Sequence, residues 1–162
     1  MKEQRAPKFL ADEHLGKLAR QLRFAGFDTL YLPGLDDTSL LRIAREEHRI
    51  LLSRDRELQR RNLHRVFPVH FMHIRMQMLE VAAAFDLENF FAPFTRCTVC
   101  NTPLRTMRKC DLRRKIPTRV FMAFALFKSC PGCGRIYWKG DHYAKMLKGW
   151  EEVFREVREE RT

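Results

Sequence analysis

Arg49-Ile50-Leu51-Leu52-Ser53-Arg54-Asp55 begins with a base, ends with an acid and holds three aliphatic residues and a hydroxyl between them. Ile50 to Leu52 is an unbroken apolar run, too short for a helix and of the kind a parallel sheet buries on both faces. In open α/β sheets ligands collect at the carboxyl ends of the strands, so Asp55 is expected at such an edge. Upstream, Lys8-Phe9-Leu10-Ala11 reads as a first strand with Asp12 at its end. Glu13 to Ala25 reads as a helix, because Leu15, Leu18, Ala19, Leu22 and Ala25 fall at helical spacing on one face. Gly26 suits the C′ position that closes it. Phe27-Asp28-Thr29-Leu30-Tyr31-Leu32 is rich in β formers and is ended by Pro33-Gly34. Asp36-Asp37-Thr38-Ser39 opens a second helix running to about Glu47, with Leu40, Leu41 and Ala44 turned inward. His48 and Arg49 suit the dipole at its C-terminus.

Downstream of Asp55, a short basic helix is expected from about Arg56 to Arg61. Val66-Phe67-Pro68-Val69-His70-Phe71 reads as a fourth strand, with its proline pointing to an edge position. Ile74 to Phe85 reads as a helix whose methionines are core filler. Strands alternating with helices through short connections predict a parallel sheet with right-handed crossovers.

The 162 residues allow one domain, or one domain and a small module. No apolar run approaches the length of a membrane span, and Met1-Lys2-Glu3-Gln4-Arg5 lacks the apolar stretch of a secretory signal. The expectation is a cytoplasmic protein with no membrane partner. Residues 1–94 carry 15 Lys+Arg against 13 Asp+Glu, whereas residues 95–162 carry 16 against 7, making up the net charge of +11. A basic half joined to a near-neutral half points to nucleic acid ahead of an acidic membrane surface, with a basic surface that has no dedicated partner as the alternative.

Asp12, Asp37 and Asp55 each fall where a strand or loop runs into a helix. Any one of them alone reads as an N-cap. Three at equivalent edges of one sheet point further, because clustered carboxylates repel one another unless a cation neutralises them. Oxygen-only ligands with open positions suit Mg²⁺ or Mn²⁺, which activate water and stabilise charge on a scissile phosphate. Capping and metal binding are compatible, since each carboxylate has two oxygens. Lys17, Arg20 and Arg23 follow at i, i+3 and i+6. A solvated face is the preferred reading for Arg23. Lys17, Arg20 and Arg54 are candidates for contacts to nucleic-acid phosphates. Arg56, Arg60 and Arg61 form a further basic patch of unassigned purpose.

Of five cysteines, Cys97, Cys100, Cys130 and Cys133 form two Cys-x-x-Cys pairs in a chain with no export signal, which favours metal over disulfides. Two such turns close a tetrahedral Zn²⁺ site, and four thiolates leave it no open position, so its role is structural. Ala92-Pro93-Phe94 marks the boundary before this module. The spacer between the pairs is long and begins with a basic stretch, Arg105, Arg108, Lys109, Arg113, Arg114 and Lys115, assigned to a nucleic-acid backbone. Pro117 to Phe127 reads as a packing segment through Val120, Phe121, Phe124 and Phe127. Cys110 reads as a buried or semi-buried free thiol. Tyr137, Trp138 and Tyr143 are assigned to packing under the ribbon ahead of base stacking. His142 reads as a cap or hydrogen-bonding residue. Glu151 to Thr162 mixes five Glu with three Arg and reads as a solvated helix end.

Phe9-Leu10-Ala11-Asp12, Gly16 to Arg23, Gly26-Phe27-Asp28-Thr29, Asp37-Thr38-Ser39-Leu40-Leu41 and Ile50 to Asp55, in this order and spacing, resemble the PIN-like RNase domain at the C-terminus of the Mut-seven exonucleases. The resemblance extends through the cysteines to the region of Trp138. It implies a PIN-like three-layer α/β sandwich, here over residues 6–92, while the cysteine spacing gives a Cys₄ zinc ribbon over 93–150 and the residue pattern a charged helical tail over 151–162. It also implies a metal-dependent ribonuclease with Asp12, Asp37 and Asp55 as its catalytic acids and Ser53 as a supporting hydroxyl. Asp36 is the alternative to Asp37. The pattern departs from the family in one place. PIN nucleases bring a fourth acid late in the sheet, whereas Val69-His70-Phe71-Met72-His73 has none, and the next carboxylate is Glu80. His70 or His73 is the candidate stand-in, one metal or two stays open, and a non-catalytic RNA-binding protein is the alternative. The oligomeric state is also open, a homodimer included.

Overall fold

The computed structural model describes residues 5–61, 66–112 and 115–161. Four short strands, β1 (Phe9–Ala11), β2 (Thr29–Tyr31), β3 (Ile50–Ser53) and β4 (Val66–Pro68), form one parallel sheet in the order β2-β1-β3-β4. Leu10 sits between Leu30 and Leu51 in the register. Pro68 pairs at the edge of the sheet, against Ser53, where its missing N–H costs no interior bond. The fourth strand is thus shorter than the sequence pattern predicts.

Alternation along the strands assigns the two faces. Phe9, Ala11 and Leu52 join one core cluster, and Leu10 and Leu51 join the other. On the first face lie α1 (Gly16–Phe24), α4 (Ile74–Phe85) and α6 (Asp141–Glu160). On the second lie α2 (Asp37–Glu46) and α3 (Arg56–Arg61), which contribute Leu40, Ala44 and Leu58. The result is an α/β sandwich of three layers. Gly26 closes α1 with φ +100°, its N–H bonding Arg23 O at 3.1 Å while Phe27 N–H bonds Leu22 O at 3.0 Å. A Cβ there would lie 2.5 Å from the carbonyl oxygen of Ala92, so this position needs glycine twice over.

The cysteine module adds an antiparallel sheet of β5 (Arg105–Met107), β6 (Phe127–Ser129) and β7 (Ile136–Trp138), in the order β5-β6-β7. Between β5 and β6 runs α5 (Thr118–Ala123), which buries no residue. Of the residues expected to pack from this segment, Val120, Phe121 and Phe124 are half-buried. Phe127 is fully buried because it belongs to β6, whereas Met122 is 73% exposed.

A second correction concerns the C-terminus. Residues 151–160 are no separate solvated tail but continue α6. Trp150, Val153, Phe154 and Val157 recur at i, i+3, i+4 and i+7 and enter the main core with Met78 and Val81 of α4. The outward face keeps the charges, pairing Arg158 with Glu88, Arg161 with Asp86 and Arg75 with Glu156. None of the described helices is long and apolar enough to cross a membrane.

Candidate active-site cleft and metal centre

The strand order fixes where a site can form. The chain steps from β1 to β2 on one side, then returns past β1 to place β3 on the other. The crossovers diverge between β1 and β3, and the crevice at a parallel sheet's carboxyl edge opens at such a point. Asp12 directly follows β1, and Ser53 ends β3. Asp12 is 5% exposed. Its Oδ2 accepts the Ser53 hydroxyl at 2.5 Å and the Arg54 N–H at 3.0 Å, while Oδ1 accepts the His14 N–H at 3.0 Å. The fully buried Ser53 Oγ also accepts the Asp55 N–H at 2.9 Å, so one hydroxyl links both acids.

Asp55 caps α3 through Oδ1, which accepts the N–H groups of Glu57 at 2.7 Å and Leu58 at 3.3 Å. Its other oxygen has no hydrogen-bond partner among the described residues. Asp36 caps α2, accepting the Ser39 N–H at 2.9 Å and the Ser39 hydroxyl at 3.0 Å. Those bonds from Ser39 hold its carboxyl below the ordinary range. Asp37, the first residue of α2, has no side-chain hydrogen bond among the described residues. Asp12, Asp36, Asp37, Ser53 and Asp55 line one cleft of about 270 Å³. The carboxylates stand around this cleft. Among the described residues, no three of them bring ligand atoms within 4.8 Å of one another.

The bases are more dispersed. Arg54 contacts Met72 Sδ through Nη2, and its Nε is buried without a hydrogen-bond partner among the described residues. Lys17 is exposed on α1. Arg20 lines a second, larger cavity between α1, α6 and the antiparallel sheet. Arg23 is buried, which corrects its reading as a solvated side chain: it bonds Thr29 O at 2.8 Å and Val99 O at 2.7 Å. Burial lowers its pKa, against the opposing pull of the nearby thiols. Its partner Val99 lies 76 residues away in the chain, beyond any local pattern.

In the region without a fourth acid, the Glu80 carboxylate accepts the His70 N–H at 3.0 Å and also pairs with Nδ1 of its ring. His73 precedes α4 without a side-chain cap bond. Neither histidine lines the acid cleft. Of the basic stretch, Arg105 is exposed on β5, Arg108 pairs with Asp111 at 3.0 Å, and Lys109 Nζ lies 4.9 Å from the centre of the Phe121 ring. Lys115 is exposed, and Arg113 and Arg114 lie outside the described residues. Cys110 is exposed rather than buried or semi-buried.

The four remaining thiols converge. Their Sγ atoms all lie within 4.8 Å of one another, with Cys97–Cys133 at 3.6 Å and Cys100–Cys130 at 3.2 Å. The two turns match. In each, the N–H of the second cysteine reaches the first Sγ at 3.4 Å. In each, the next residue has positive φ, Asn101 at +68° and Gly134 at +74°, and both are residue types that tolerate it. Burial opposes ionisation of Cys100, but hydrogen bonds from Thr102 and from neighbouring thiols hold it down at about 6. Burial pushes Cys130 up to about 11 and Tyr137, whose hydroxyl lies 3.0 Å from Cys97 Sγ, up to about 12. These four cysteines are positioned to bind a metal ion, and a sulfur-only tetrahedral donor set is the one zinc takes.

This centre docks on the far edge of the parallel sheet. Asn101 Oδ1 accepts the Thr29 N–H at 3.0 Å, and its Nδ2 donates to Asp28 at 2.7 Å, at the start of β2. The acids sit at the opposite, carboxyl ends of the strands. His142 is no part of the cysteine cluster.

Among known families, the model described as the Mut7-C RNAse domain matches residues 7–149, which span both the cleft and the cysteines. No curated protein and no solved structure matches the chain.

Proposed function

The chain belongs to the Mut7-C RNAse domain family, and from that premise we propose that it is a metal-dependent ribonuclease acting at the cleft between β1 and β3. The observation that carries this reading is the gathering of Asp12, Asp37 and Asp55 around one cleft at the point where the crossovers diverge. The donor set fits Mg²⁺ or Mn²⁺: it is all oxygen, one carboxylate is already oriented by three hydrogen bonds, and Asp37 and Asp55 keep free oxygens. Asp12, Asp37 and Asp55 would hold the ion, which supplies an activated water and charge stabilisation for phosphodiester hydrolysis.

The chain's own part is positioning. Ser53 and the Arg54 N–H fix the Asp12 carboxylate, and the α3 cap fixes Asp55, so neither acid needs to reorganise when a phosphate arrives. Arg54, at the cleft's edge in sequence, is the candidate to meet that phosphate. The cysteine centre, taken as Cys₄ zinc, holds the ribbon against the sheet and leaves chemistry to the acids. Arg105, Arg108, Lys109 and Lys115 extend the basic surface toward RNA.

The test is to incubate the protein with labelled single-stranded RNA and DNA, with Mg²⁺, with Mn²⁺ and with EDTA. Cleavage of RNA is expected only with added metal, and Asp55→Asn should lower it by about a thousandfold, as loss of several kcal/mol of charge stabilisation requires. Cleavage that persists in EDTA and is unchanged in Asp55→Asn overturns the reading. A second reading, an RNA-binding protein without catalysis, is favoured by the spread of the acids around the cleft and by the engagement of Glu80 with His70. It predicts RNA binding that survives loss of all three aspartates.

A further inference from the structure

The larger cavity, of about 600 Å³, lies between the antiparallel sheet and the α1/α6 pair, away from the acids. That volume is of the size that takes an organic ligand. Its walls include the rings of Phe24, Phe94, Phe124, Trp138 and Tyr143. Several of these rings brace one another: Phe24 and Tyr143 stand 5.3 Å apart between centroids, and Phe94 and Tyr143 5.7 Å. Gly140 leaves room for the indole, since a Cβ there would come within 2.8 Å of Trp138 Nε1.

The same cavity carries Arg20, Arg96 and Arg119 against one carboxylate, Asp141. Arg96 is committed to the fold, donating to Gly26 O at 3.3 Å and Asn101 O at 2.8 Å. Arg20 and Arg119 are exposed and have no hydrogen-bond partner among the described residues. Aromatic faces beside unpaired guanidinium groups are what an unstacked base and its phosphate require. An apolar peptide would use the rings but give the arginines nothing to pair with. The position is also suitable. His14, in the single 3-10 turn that leads into α1, lines the acid cleft, and Arg20 on α1 lines this cavity, so one short segment of chain joins the two.

We propose that this cavity is a nucleotide subsite, stacking one base of a single-stranded RNA on its aromatic wall and holding the adjoining phosphate on Arg20 and Arg119. The choice of RNA as the polymer rests on the ribonuclease reading above.

Tryptophan emission gives a local probe, because the chain has two tryptophans and Trp150 is fully buried. The full-length protein is titrated with an oligoadenylate, without added Mg²⁺ or Mn²⁺, and labelled-strand anisotropy is read in parallel. Saturable quenching is expected, and it should vanish in Trp138→Phe with the circular dichroism unchanged. Arg20→Gln and Arg119→Gln, both at exposed positions, should each weaken binding by about fivefold or more and make the log–log salt slope shallower by about 0.7. RNA that binds and is cleaved while Trp138 emission stays unmoved, and while both arginine variants bind normally, overturns the subsite and leaves the nuclease standing. Quenching without metal-dependent cleavage supports the subsite and removes the nuclease. An anilinonaphthalene sulfonate probe that enters the cavity and is not displaced by bound RNA assigns it to an apolar ligand and overturns the proposal.

Discussion

At the scale of single residues, the Asp36-Asp37 pair shows how neighbours of one type take different work. Asp36 has extended backbone, with φ −72° and ψ 160°, and spends both oxygens on Ser39. Asp37 is helical, and its carboxylate makes no hydrogen bond among the described residues. Asn caps a helix about as well as Asp, so Asp36→Asn should leave thermal stability and cleavage near wild type, while Asp36→Ala should lower the melting temperature. Asp37→Asn should leave the melting temperature alone and cut metal-dependent RNA cleavage by about a hundredfold or more, each tenfold being 1.36 kcal/mol of barrier. Melting curves and rates for the three variants check this, and the reverse pattern would transfer the ligand role to Asp36. Ser53 teaches a related lesson: a buried hydroxyl bonded to one acid and to the backbone of another costs little to keep and fixes both.

At the scale of elements, α6 carries more than its composition promises. Its last two turns hold glutamates and arginines outward and three aliphatic or aromatic residues inward, against α4. Trp150 meets Phe91 at 6.1 Å and Phe154 at 5.4 Å between ring centroids. Trp150→Ala should therefore destabilise the fold by about 3–5 kcal/mol. Chemical denaturation would read that as a lower midpoint at constant slope. A loss below about 1 kcal/mol, the size of a surface change, would mean that α6 is a dispensable appendage.

At the scale of the molecule, the parallel sheet and the cysteine module are joined by a polar lock at the amino edge of the strands. Arg49, nearly buried, donates to Asp28 Oδ1 at 2.8 Å and to Phe9 O at 3.2 Å, and Asn101 of the first cysteine turn reaches the same Asp28. Burial opposes charge on Asp28, but hydrogen bonds from Arg49 and Asn101 outweigh it and hold the carboxyl below its ordinary value. A depressed pKa in the folded state stabilises the protein above the unfolded value, near 3.9, and that contribution is lost as pH falls through the folded value. The gap in melting temperature between wild type and Asp28→Asn should be full at neutral pH and close below about pH 4. A gap that widens as acid is added would mean that Asp28 is already protonated in the folded protein.

Much of this architecture is legible along the chain. Strand and helix periods belong to the local backbone, repeating every 2 or 3.6 residues, so β1 to β3, α1, α2 and α4 show themselves in short windows. The cysteine pairs and the three acids at strand ends follow from spacing in the same way. The exceptions are contacts between distant residues. Arg23 is buried because Val99, far along the chain, caps it. The tail is buried because α4 offers its 151–160 face a partner. Asp37 is the unengaged acid because Ser39 takes Asp36. The parallel pairing of β1 and β3 brings Asp12 and Ser53 together at the carboxyl ends of the strands, and the thiols dock at the start of β2. The aromatic cavity forms where α1 and α6 meet the ribbon. The sequence by itself determined β1 to β3, α1, α2, α4 and the two cysteine turns, and it marked the acids whose chemistry is proposed, since all of these depend on neighbours within a few positions. Only the tertiary structure decided which of them meet, since burial and charge pairing depend on faces that distant segments supply.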